Sequence, residues 1–164
     1  MKVAILCGGY GTRIRDVADD LPKPMIPIGG YPIIWHIMKY YASFGHDEFI
    51  LCLGYKSNVI KDYFLNYEAR TTDFSITLGK KDSIEILNNH TEQNWKITFA
   101  ETGLDSMTGT RIKKIQKYIN PGESFMLTYG DGLSNINIDQ LISYHNSHGK
   151  SLTLSGVKPA GRFG

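Results

Sequence analysis

The chain has little cysteine, no long apolar run, no cluster of like charge and no repeated or low-complexity segment. Two cysteines in 164 residues cannot make a disulfide framework, and Cys7 and Cys52 each sit in or beside an apolar run, which predicts buried free thiols. The apolar stretch before Gly8 is five residues, Val3 to Cys7, too short for a signal peptide or a membrane span, so a cytoplasmic protein is expected. The glycosylation sequon at Asn89-His90-Thr91 then carries no meaning. The formal charge is +2, and the densest basic pairs, Lys80-Lys81 and Lys113-Lys114, read as solvated faces. Neither nucleic acid nor an acidic membrane is implied as a partner.

Two phosphate-binding fingerprints are also missing. A dinucleotide Gly-x-Gly-x-x-Gly starting at Gly9 would need its third glycine where Ile14 stands. A P-loop ending in Gly149-Lys150-Ser151 would need a glycine where Tyr144 stands.

What is present is an ordinary globular composition, 41% hydrophobic and 21% charged, and a length of about one domain that can bury roughly two-thirds of its unfolded surface. Strand and helix signals alternate. Lys2 to Cys7, Glu48 to Leu53 and Ser124 to Tyr129 are continuous apolar strands of the kind buried on both faces. Helices are predicted from Pro32 to Phe44, Asn58 to Phe64, Thr110 to Tyr118 and Asn137 to Ser147, with Gly45, Asn120-Pro121-Gly122 and Gly149 as stops. Between Asp73 and Ala100 the alternation at 74–78, 84–86 and 95–99 predicts short antiparallel strands around a polar loop, and Ser151 to Val157 reads as a last strand. The expected fold is an α/β three-layer, Rossmann-like sandwich with a mainly parallel mixed sheet, in one domain over residues 1–164.

Sites in such sheets lie beyond the carboxyl ends of the strands. There the first strand runs into Gly8-Gly9-Tyr10-Gly11-Thr12-Arg13, where bare backbone N–H groups admit an anion, and Lys23-Pro24-Met25 follows with a second fixed cation. The third strand ends in Gly130-Asp131-Gly132 on the same rim. As a surface loop and a tight turn these would be unremarkable singly; together they point to a nucleoside triphosphate site.

These motifs, with Pro32-Ile33-Ile34-Trp35-His36-Ile37-Met38-Lys39, Thr102-Gly103, Ser106 to Arg111 and Gly161-Arg162-Phe163-Gly164, resemble the sugar-1-phosphate nucleotidyltransferase family over the whole chain. Within it they are most similar to the glucose-1-phosphate cytidylyltransferase branch. The resemblance implies a nucleotide-diphospho-sugar transferase fold and transfer of a nucleotidyl group from CTP to a sugar 1-phosphate, such as glucose 1-phosphate. CDP-sugar and pyrophosphate would be the products, serving deoxysugar and cell-surface polysaccharide (lipopolysaccharide) synthesis. It implies Arg13 and Lys23 as catalytic residues. Leu6, Gly8, Gly9, Gly11, Thr12, Arg13, Thr108, Arg111 and Tyr129 are the implied nucleotide-binding set, Asp131 the ligand of Mg²⁺, and a homo-oligomer is possible. Arg111 is expected on the triphosphate or base. Thr110 stands where the family usually has a second glycine, and could serve as an N-cap. Tyr10 and Cys7 depart from the family's usual small or aliphatic residues without evident consequence.

The resemblance implies that members of this branch continue past the position of Gly164, with a sugar-binding lysine and glutamate and a second metal-binding aspartate. A fragment or truncated product, poorly active by itself, is expected, the alternative being a naturally short protein of altered function. A nucleotide-binding module without turnover, or a thymidylyl or uridylyl transferase, are the alternatives. His36 is expected to pack. His145 and His148, three apart, are expected on a solvated helix face, and the pairs Tyr40-Tyr41 and Tyr63-Phe64 in packing or a subunit contact.

Overall fold

The computed structural model describes residues 1–10, 21–80 and 83–157. The chain divides after Leu133 into two compact units. Of the expected site residues, Gly11, Thr12 and Arg13 lie outside the described residues, as does the 161–164 motif.

The first unit is built on strand β1, Val3–Leu6, every residue of which is buried. A 3-10 turn at Lys23–Met25 leads to a tight hairpin, β2 (Pro27–Ile28) and β3 (Tyr31–Pro32), turned by Gly29 and Gly30 at φ 57° and 91°. Two successive positive φ values are what a two-residue hairpin demands and glycine supplies. Helix α1 follows at Ile33–Ala42 and buries Ile34, Ile37 and Met38, one face at helical spacing. Then come β4 (Glu48–Leu53), α2 (Ser57–Leu65), α3 (Tyr67–Thr71), the antiparallel pair β5 (Phe74–Ile76) and β6 (Ile84–Ile86), and β7 (Lys96–Glu101). Helix α4 (Thr108–Ile115), a 3-10 turn at Gln116–Tyr118 and β8 (Met126–Tyr129) complete the unit.

The main sheet has the order β7-β4-β1-β8 and every pair in it is parallel. Its two faces carry different cores, because successive side chains alternate. Ala4, Leu6, Ile50, Cys52 and Ala100 pack with Ile115 of α4 on one face. On the other, Phe64 of α2 meets Phe99, and Tyr41 of α1 hydrogen-bonds Thr128, the register partner of Ile5. Helices therefore cover both faces, and three layers result.

Two of the expected strands differ from the sequence reading. The segment 95–99 was expected to be antiparallel, but β7 is the parallel edge strand beside β4. Both of its faces are at least partly covered, from half-buried Ile97, Thr98 and Phe99 to buried Ala100, so the alternation of residue types does not report direction. Residues 151–157 form no strand; Leu152, Leu154 and Val157 are exposed and pair with nothing among the described residues.

The second unit contains α5 (Ile138–His148), capped by Asn137, whose side chain accepts from the Gln140 N–H at 2.9 Å, and ended by Gly149 at φ 63°. His145 and His148 are not simply solvated, since each lies 2.8 Å from the Thr153 hydroxyl. Among the described residues no helix is long and apolar enough to cross a membrane.

Candidate active site

The carboxyl ends of β1 and β8 open into a cavity of about 370 Å³ in the first unit. Parallel strands end on one edge, so loops distant in sequence meet there. Leu6, Gly8, Gly9, Lys23, Thr108, Arg111, Tyr129 and Asp131 all line this cavity, which brings together every sequence-predicted site residue that the structure describes.

The floor is fixed by backbone hydrogen bonds that continue the sheet. The Cys7 N–H donates to the Cys52 carbonyl at 3.0 Å, and the Gly130 N–H donates to the Leu6 carbonyl at 3.0 Å. Gly130 has to be small: a Cβ there would lie 2.9 Å from Pro24 Cγ, 3.1 Å from Cys7 Sγ and 3.1 Å from the Leu6 carbonyl oxygen. That close approach sets Asp131 beside the Lys23 turn, and the two side chains form an ion pair, each about one-third exposed. Lys23 itself is flanked by buried Pro22 and Pro24, whose fixed φ angles restrict the turn that presents it.

Helix α4 starts at Thr108, so Thr110 lies inside its first turn and is not the N-cap; Met107 holds that position in extended backbone without a side-chain bond. The start two residues early allows the Arg111 N–H to bond the Met107 carbonyl at 3.0 Å. It also turns the N-terminal end of an eight-residue helix, at Thr108, toward the cavity. Free N–H groups and the positive end of the helix dipole favour an anion at such an end.

Arg111 departs from expectation. It lines the cavity but is buried, and its terminal N–H groups are turned on protein acceptors rather than presented to a triphosphate or base. Nη1 donates to the Leu53 carbonyl (3.0 Å), the Thr102 hydroxyl (2.7 Å) and the Gly103 carbonyl (2.8 Å). Nη2 donates to the carbonyls of Gly8 (3.0 Å) and Leu104 (3.1 Å).

Tyr10 also has a consequence that its sequence context does not reveal. Its hydroxyl donates to Asp105 at 2.8 Å, joining the glycine loop to the segment before α4. Cys7 and Cys52 are free and buried. Burial pushes the Cys7 thiol well above its ordinary range, and pushes that of Cys52 up to about 11, so neither is a thiolate nucleophile. His36 packs edge-on to Trp35, with Nε2 2.8 Å from the Ile28 carbonyl.

Comparison with known proteins agrees with this geometry. The Nucleotidyl transferase family model matches residues 2–164. The chain belongs to that family. It is 50% identical to the probable glucose-1-phosphate cytidylyltransferase of Bacillus subtilis, and 44% identical to the glucose-1-phosphate cytidylyltransferase of Salmonella typhimurium. Each match covers the whole of this chain and 63% of the relative, so the chain spans less than two-thirds of their length. Among solved structures, this nucleotidyl transferase chain superposes on HddC from Yersinia pseudotuberculosis complexed with GMP-PN. The TM-score is 0.62 at 30% identity, over 87% of this chain and 53% of that one. A UDP-glucose pyrophosphorylase complexed with UDP-glucose shares the fold at TM-score 0.62 and 18% identity, covering 90% of this chain and 53% of that one.

The residue that sequence reading missed beside this nucleotidyl transferase cavity is Gly54, where a Cβ would lie 2.8 Å from Arg111 Nη1; Thr102, part of the Thr102-Gly103 motif, was singled out without its role as an acceptor for Arg111. The signal of Gly54 was faint: it simply follows the end of a buried strand.

Proposed function

We propose that the protein transfers a cytidylyl group from CTP to glucose 1-phosphate, releasing pyrophosphate. The observation that carries this reading is one cavity holding a strand-end glycine pair, the N-terminal end of α4 and the facing Lys23 and Asp131. The choice of CTP and glucose 1-phosphate rests on the names of relatives 44–50% identical over the whole chain.

In the proposed step a phosphate oxygen of the sugar 1-phosphate bonds to the α-phosphorus. The bond from that phosphorus to the bridging oxygen of the β-phosphate breaks, and pyrophosphate leaves with the electron pair. The second pKa of a phosphate monoester is about 6, so the nucleophile is already charged at neutral pH and needs no protein base. Alignment and charge neutralisation are what the site must provide. The N–H groups of Gly8 and Gly9 would receive phosphate oxygens, Thr108 and Tyr129 would flank the nucleotide, and Lys23 would stabilise charge between the α-phosphate and the incoming sugar phosphate. Gly11, Thr12 and Arg13, by sequence position, would extend this cradle over the β- and γ-phosphates.

Asp131 suits Mg²⁺, which asks for only one or two carboxylates and completes its shell with phosphates and water. When bound there, Mg²⁺ would neutralise phosphate charge that Lys23 alone leaves uncovered. Among the described residues no cluster of three or more histidine, cysteine or acidic side chains could form an all-protein cage, and Mg²⁺ needs none.

Calorimetric titration with CTP, UTP, dTTP and GTP in Mg²⁺, paired with a pyrophosphate-release assay on glucose 1-phosphate, tests the reading. Preference for CTP is expected, with release slow from residues 1–164 alone. Equal affinities for the four nucleotides would sink the cytidylyl assignment, and CTP binding with no release at all would leave a nucleotide-binding module.

A further inference from the structure

The ends of β1, β4 and β7 meet at one rim of the cavity, and a strand's carboxyl end presents carbonyl oxygens. Four of them, from Gly8, Leu53, Gly103 and Leu104, together with the Thr102 hydroxyl, converge on a single buried guanidinium. Unscreened, those oxygens would repel a polyphosphate. Covered by a delocalised cation with a rigid planar fork, they become a neutralised floor of fixed shape.

Two glycines make room for that cation. A Cβ on Gly8 would lie 2.0 Å from Arg111 Nη1 and 2.4 Å from Cζ. A Cβ on Gly54 would lie 2.8 Å from Nη1, 2.8 Å from the Gly8 carbonyl oxygen and 2.9 Å from that of Gly103. Gly9, the next residue of the same loop, has nothing within 4 Å among the described residues. The absent side chain of Gly8 therefore serves Arg111, while the absent side chain of Gly9 leaves open space.

Lys114, one turn farther along α4, reinforces the arrangement. Its ammonium donates to the Thr102 carbonyl at 2.7 Å and to the Ser106 hydroxyl at 3.2 Å. The helix thus returns two cations to the turn from which it departs.

We infer that Arg111 is a positioning residue of the nucleotide site: it ties the ends of β1, β4 and β7 into one rim, and Gly8 is glycine in order to admit it, while Gly54 makes room both for its Nη1 and for the Gly8 and Gly103 carbonyls. Its effect on nucleotide affinity rests on the function proposed above; the coupling to Gly8 does not.

The test is a double-mutant cycle on the protein with Gly8→Ala, Arg111→Ala and the double variant, with Arg111→Lys alongside. Thermal unfolding is read first. Gly8→Ala should destabilise the wild type clearly and be nearly silent once Arg111 is gone. If Arg111→Ala does not fold, the same cycle runs in the Arg111→Lys background, where the narrower side chain should also relieve most of the Gly8→Ala cost. Additive effects in the cycle would overturn the inference.

Affinity for Mg²⁺ and CTP is read next, at a temperature where each variant is folded. Arg111→Lys keeps the charge but not the fork, so it should weaken binding by about tenfold or more. Wild-type affinity in a folded Arg111→Lys variant would show that a point charge suffices, and the tying role would fall. If the wild type binds no nucleotide, the functional proposal fails, while the stability cycle still decides whether Arg111 ties the rim.

Discussion

Gly130→Ala should loosen the site and destabilise the fold, whereas Gly132→Ala should do neither. Neither glycine has a positive φ, so backbone conformation imposes no penalty and the comparison isolates space. At Gly130 the added methyl meets a proline ring at 2.9 Å, a buried sulfur at 3.1 Å and a backbone oxygen at 3.1 Å; at Gly132 nothing described lies within 4 Å. Relief requires the end of β8 to withdraw from β1, which stretches the 3.0 Å bond from the Gly130 N–H to the Leu6 carbonyl. Overpacking of this kind costs about 1–3 kcal/mol. For a chain of this size that lowers the melting temperature by roughly 2–12 °C. The same withdrawal moves Asp131 relative to Lys23, so affinity for CTP in Mg²⁺ should fall with it. Differential scanning fluorimetry and calorimetric titration measure both. If the two alanine variants melt within about 1 °C of each other, the close packing of Gly130 is not what sets Asp131 in place.

Lys23→Ala should lower turnover by about a hundredfold or more while changing CTP affinity less, and Asp131→Asn should abolish the Mg²⁺ dependence of CTP binding; steady-state kinetics and titration separate the two. Glu92 is buried, which raises its pKa, but hydrogen bonds from Lys39, Thr91 and Tyr67 outweigh that and hold it below the ordinary carboxylate value. Its stabilisation is therefore present above the unfolded pKa of about 4.3 and is lost as pH falls through the lower folded value. Glu92→Gln should cost about 1–3 kcal/mol at pH 7 and lack this acid-side loss, as read by urea unfolding between pH 3 and 7. A thiol reagent at pH 8 should find neither Cys7 nor Cys52 until the protein is unfolded, when both should react.

The parallel strands were legible because burial on both faces leaves continuous apolar runs, and Glu48–Leu53 matches its observed bounds. The rim followed from topology alone, since strands running one way must end together. Direction at the sheet edge was not legible. Trp95 to Phe99 alternates in residue type although Ile97, Thr98 and Phe99 are all half-buried, and an antiparallel ribbon would give the same sequence pattern. Residues 151–157 read as a strand from their spacing, yet spacing describes a preference that only a partner strand can realise.

Arg111 shows a deeper limit. The resemblance of residues 108–111 to a nucleotide-binding segment suggests an anion for Arg111, because sequence displays the cation and leaves its competitors unseen. Here the competitors are carbonyl oxygens from three strand ends, brought together only by the fold. The same blindness merges Gly8 and Gly9 into one phosphate-loop signature. In space they part: the missing side chain of Gly8 is replaced by a guanidinium, whereas that of Gly9 is replaced by nothing described within 4 Å. Substitution at Gly8 should therefore act on the rim itself, through Arg111. Substitution at Gly9 can reach nucleotide binding only by filling open space, so loss of binding without loss of stability is the behaviour that would mark Gly9 as the glycine whose missing side chain lets phosphate approach the backbone.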